Sequence, residues 1–132
     1  MAENIAGVAS AIGASLLEPG GPAGEAEARR LAFSFVETID GASSEEVEAL
    51  VAAPPATTGD HRFDALVAAV VEHACTKRSM PSPAWVNEPH RFLSTWWFMS
   101  EMPSLHADAI VHSPISFARR GVFITSGALT YA

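Results

Sequence analysis

At 132 residues, 48% of them hydrophobic and 17% charged, the chain has the length of one domain that buries its own core, and a composition that excludes disorder over most of its length. Its net charge of −7 is uneven: residues 1 to 60 carry ten acidic and two basic groups, residues 61 to 132 five acidic and six basic. An acidic surface repels phosphate, so no direct nucleic-acid binding is expected, whereas a basic partner protein would be steered to the N-terminal half.

The first segment sets Ile5, Val8, Ala9, Ile12 and Leu16 on one stripe and stops at Pro19, Gly20 and Gly21, which predicts an amphipathic helix over residues 1–19 followed by a linker. That stripe suits packing on its own domain, pairing with a second copy to give a homodimer, or lying on a partner. A second helix is predicted from Gly24 to Ile39, with Ala28, Leu31, Ala32, Phe35 and Ile39 inward and Gly41 closing it. Ser43-Ser44-Glu45-Glu46 has the form of a capping box and opens a short third helix that buries Val47, Leu50 and Val51 before Pro54-Pro55. The strongest pattern starts at Asp60, where Phe63, Leu66, Val67, Val70, Val71 and Ala74 recur at helical spacing; Lys77 and Arg78 complement the negative end of the helix dipole, and Met80-Pro81 stops it. Residues 20–78 thus read as a helical bundle. Cys75, the sole cysteine, excludes an intrachain disulfide and reads as a small buried apolar group, with a reducing cytoplasm as the simplest compartment.

From Met80 to Ile124 the chain holds all three tryptophans, four of seven phenylalanines, three of five histidines and five of nine prolines. Residues 79–132 therefore read as an irregular, aromatic-rich module: a loop through Trp85, a helical turn from Glu88 to Leu93, a helix around Ser104 to Val111, a short helix from Ser116 to Arg120 with Ser113-Pro114 as its cap and first turn, an extended Val122-Phe123-Ile124, and a last turn from Ser126 around Leu129. The whole is expected to be one mainly α domain. Glu3 stands where a secretory signal would carry positive charge, and no apolar run approaches the roughly 18 residues of a membrane helix.

Candidate chemistry is sparse. His61, His73, His90, His106 and His112 lack the three- or four-residue spacing that sets two imidazoles on one helical face, so no metal ligands are assigned and no cofactor is expected. There is no G-x-S-x-G elbow, phosphate loop or G-x-G-x-x-G, and catalytic residues are not assigned. The short third helix carries three glutamates and no base, unlike a DNA-recognition helix. Trp85 and Phe92 are expected in the core with Phe63, Leu66, Val67, Val70 and Val71. Trp96 and Trp97 are adjacent, so in a regular element one faces inward and the other is free to anchor a partner. Together with Arg91, Arg119 and Arg120 they are the residues expected to meet that partner.

The stretch from Thr58 to Leu129 resembles a C-terminal module of small actinobacterial antitoxin-like proteins from toxin-antitoxin pairs. The resemblance rests on Gly59-Asp60-His61-Arg62-Phe63-Asp64-Ala65-Leu66, Pro81-Ser82-Pro83-Ala84-Trp85, Arg91-Phe92-Leu93, Trp97-Phe98 and the run Ser113 to Gly121, and covers a little over half the chain. It implies a partner protein, a nucleotidyltransferase-like toxin in several similar proteins, which this chain would neutralise by direct binding. Several of those proteins look like DNA-binding antitoxins with an N-terminal helix-turn-helix. This chain departs from that plan, having an acidic N-terminal half and no recognition helix. Two other readings stay open: a small enzyme or metal-binding protein using the C-terminal histidines, and a regulator that binds DNA only with a partner.

Overall fold

In the computed structural model, which describes residues 3–125 and 128–129, the first helix α1 (Ile5–Leu17) opens where the Asn4 side chain accepts from the Gly7 amide. It buries Ile5, Val8, Ala9 and Ile12 against its own domain. Helix α2 (Gly21–Asp40) begins three residues before the expected Gly24, because Pro22 sits in the first turn, where its missing N–H costs no intrahelical bond. Its buried face is Ala28, Ala32, Phe35, Val36 and Ile39, with Leu31 only half-buried. The α1 and α2 backbones approach so closely at Gly24 that a Cβ there would collide with the Ser15 carbonyl oxygen.

Helix α3 (Ser44–Val51) carries the expected capping box: Ser43 Oγ accepts from the Glu46 amide at 3.2 Å and Glu46 Oε1 from the Ser43 amide at 2.9 Å. Val47 and Val51 are buried but Leu50 is half-buried, since so short a helix turns only one narrow stripe inward. Helix α4 (His61–Lys77), capped by Asp60, is the centre of the molecule. Every residue from Phe63 to Val71 is buried, as are Ala74 and Cys75, because α1 and α2 cover one side and the C-terminal module the other. Asp64 on its first turn accepts from Thr57 Oγ1 at 2.6 Å and from the Thr58 amide at 2.7 Å, fastening the loop that precedes it.

Beyond α4 the chain runs through short pieces. Trp85 lies in a 3-10 turn (Ala84–Asn87), 5% exposed, its Nε1 donating to the Val51 carbonyl at 2.9 Å. A second 3-10 turn spans Pro89–Arg91, within the expected Glu88–Leu93 turn. Strand β1 (Trp97–Phe98) pairs in parallel with β2 (Val122–Phe123), Trp97 opposite Val122 and Phe98 opposite Phe123. A 3-10 turn (Pro103–Leu105) leads into α5 (His106–His112). Helix α6 (Ile115–Ala118) then starts and stops earlier than expected. Ser113 does not cap it: the hydroxyl accepts from the Ile124 amide at 2.9 Å and donates to the Ala109 carbonyl at 2.6 Å, joining α5 to the end of β2. The last turn is closed by the Ala128 amide on the Thr125 carbonyl, and its expected first residue, Ser126, lies outside the described residues. Among the described residues the architecture is mainly α with one two-stranded ribbon, and a single hydrophobic core runs from Ile5 to Ile124. Among the described residues no helix is long and apolar enough to cross a membrane.

Candidate partner-binding surface

The segment from Leu93 to Met99 is laid along residues 120 to 123 by three backbone bonds: the Leu93 amide to the Arg120 carbonyl at 2.9 Å, Trp97 to Gly121 at 2.8 Å and Met99 to Phe123 at 2.9 Å. Gly121 permits this, since its φ of +80° lies where side chains are strained and a Cβ would press on Leu93. Once the segment is extended, successive side chains alternate in direction. Trp97 turns inward, half-buried, its ring 5.2 Å from that of Phe63 and the Arg62 guanidinium 5.2 Å above it. Trp96 turns outward and is 61% exposed. The two tryptophans therefore divide as their adjacency requires.

From exposed Trp96 the rings form a continuous set in which Phe98 and His106 are half-buried and Phe123 is buried. Trp96 lies 4.8 Å from Phe123 and 6.3 Å from Phe98; Phe98 stacks on Phe123 at 5.2 Å and on His106 at 4.1 Å. His106 is held in that stack by a ring-nitrogen hydrogen bond with the Ser100 carbonyl at 3.1 Å. Phe98, His106 and Phe123 were not among the expected site residues, and the alternation Trp96-Trp97-Phe98 is the signal that brings Phe98 to the Trp96 side. Of the exposed large hydrophobics among the described residues, Trp96, Met102, Ile110, Val111 and Ile115 belong to this module, and Leu17 alone lies elsewhere.

The arginines need correcting. Arg91 is 1% and Arg120 0% exposed, so neither reaches a partner. Arg91 donates to the Asp64 carbonyl at 3.2 Å and the Pro55 carbonyl at 3.0 Å, with its guanidinium 4.7 Å over the Trp85 ring. Arg120 donates to the Val86 carbonyl at 2.6 Å, the Ser116 carbonyl at 2.8 Å and Glu72 Oε1 at 2.6 Å. Loops and 3-10 turns leave inner carbonyls without a ladder partner, and the forked guanidinium supplies donors for them. Arg119 is the exposed one, yet it is engaged by Glu72 and Asn87. Phe92, expected in the core, is half-buried beneath the Arg119 and Arg120 guanidinium groups at 5.0 and 4.8 Å. Phe63, Leu66, Val67, Val70, Val71 and Trp85 are buried as expected.

The histidines stay apart. His61, His90 and His112 are exposed, His106 is in the ring stack, and His73 meets Phe117 edge-on at 5.8 Å. Burial, with Lys77 nearby, pushes the His73 imidazole below its ordinary range. Among the described residues no group of three His, Cys, Asp or Glu side chains is placed to hold a metal ion. No family model, curated protein or solved structure matches the chain.

Proposed function

We propose that this chain is a protein-binding module, the antitoxin-like component of a bacterial toxin-antitoxin pair, and that it neutralises its partner by direct contact through the aromatic face around Trp96. What supports the reading is the concentration of exposed large hydrophobics, which between Trp96 and Ile115 number five of the six among the described residues. Single exposed apolar side chains are ordinary, but a group of them on one module beside a ring stack is the composition of an interface centre. The net charge of −7 favours a protein occupant over a polyanion.

The test is co-expression with the product of the adjacent gene. That product alone should arrest growth of a bacterial host, and the wild-type chain should relieve the arrest. A Trp96→Ser/Val111→Asp variant, altered only at exposed positions, should accumulate normally and fail to relieve it. A harmless neighbour, or full relief by the double variant, would contradict the proposal.

A further inference from the structure

The face of α3 opposite the core borders a second surface of different chemistry. A groove of about 490 Å³ opens between the end of α3 and the Met80–Trp85 segment. Its apolar walls come from Val51, Ala52, Met80, Pro83 and Trp85, and its rim carries Glu48. An adjoining depression of about 260 Å³ shares Glu48 and Ala52 and adds Glu45. The volume falls in the range of ligand clefts and is large enough for one or two apolar side chains. The Trp85 indole N–H is already bound to the Val51 carbonyl, and prolines 81 and 83 bring no N–H to the wall, so apart from Ser82 the groove offers mainly apolar contact.

Charge decides what fits. Glu45 and Glu48 are exposed and form no ion pair among the described residues, whereas Glu25, Glu27, Asp40, Asp60, Glu72 and Glu88 are each paired with an arginine or lysine. No basic side chain lines the groove or the depression beside it. We infer that this groove is a docking site for a short segment of a partner protein in which a large apolar residue is flanked by lysine or arginine, the apolar side chain entering the groove and the cations meeting Glu45 and Glu48. The site is independent of the Trp96 face, so the inference stands or falls apart from the proposed function.

The probe is a capped hexapeptide with a Leu-Phe centre between two lysine pairs, titrated into isotopically labelled full-length protein. Amide shifts should be confined to the Glu45–Ala52 and Met80–Trp85 segments. Glu45→Gln/Glu48→Gln should weaken binding about fivefold, as expected for two exposed ion pairs, and Ala52→Trp, which fills the groove from an exposed position and keeps both carboxylates, should abolish it. Four results would each overturn the inference: no shifts with the peptide at millimolar concentration, shifts centred elsewhere, equal binding of a peptide with a Gly-Gly centre, or a wild-type dimer that Ala52→Trp converts to monomer, which would make a second copy the occupant.

Discussion

Glu72 is the charge on which two neighbouring arginines converge. Arg119 donates to its two oxygens at 2.8 and 2.6 Å, and buried Arg120 donates to Oε1 at 2.6 Å. Burial works to raise the Glu72 carboxyl, but the hydrogen bonds from Arg119 and Arg120 together outweigh it and hold the group at about 2, against an ordinary 4.5. With a depressed folded value the unfolded chain takes up the proton first, so this contribution is complete above about pH 4.5 and is lost as pH falls towards 2. A shift of that size corresponds to about 3 kcal/mol. Glu72→Gln leaves Arg120 buried without its countercharge and should cost about 3 kcal/mol at pH 7. Urea midpoints at pH 7 and pH 3 check this: the gap between wild type and variant should narrow at pH 3. An equal gap at both would mean that the loss is packing and not charge.

At the scale of elements, the α1–α2 hairpin is set by a glycine inside a helix. Gly24→Ala would drive a methyl group into the Ser15 carbonyl and should destabilise by about 1 to 3 kcal/mol, the cost of overpacking, although alanine is the better helix former. A raised urea midpoint for this variant would show that the helices part without cost. Trp85 anchors the far side. Trp85→Ala should cost about 3 to 5 kcal/mol, whereas Trp85→Phe keeps most of the ring, leaves the Val51 carbonyl unpaired and should cost about 1 to 2 kcal/mol; equal midpoints for the two variants would remove the hydrogen bond from the account. Helices α1 to α4 were legible because their apolar residues recur at helical spacing and Ser43 and Asp60 announce their starts. Gly24 looks like a helix start in the sequence because nothing in one helix's own residues reveals a neighbour's backbone. Of the β1–β2 ribbon, β2 is legible as the extended Val122-Phe123-Ile124, whereas β1 and the pairing are not, since two residues carry no period and the partners are 25 positions apart. Arg91 and Arg120 are legible only as charged side chains, because the carbonyls they serve, Pro55 in the loop before α4 and Val86 in a 3-10 turn, are brought to them only by the fold.

The whole molecule joins an acidic helical half to an aromatic half through α4, and among the described residues five of the six exposed large hydrophobics lie on the aromatic half. On the proposed function, Trp97 serves the fold and Trp96 the partner. Trp97→Ala should cost about 2 kcal/mol, less than for a fully buried indole, because the ring is half-exposed. Trp96→Ala should change stability by less than about 1 kcal/mol, as expected for an exposed side chain, and act instead on association. The most direct measurement is therefore a calorimetric titration of the adjacent gene's product with wild-type chain and with Trp96→Ala, alongside their urea midpoints. A stoichiometric complex is expected, one that Trp96→Ala weakens at least about tenfold at an unchanged midpoint, as for an interface anchor. Undiminished affinity of the Trp96→Ala variant would contradict it.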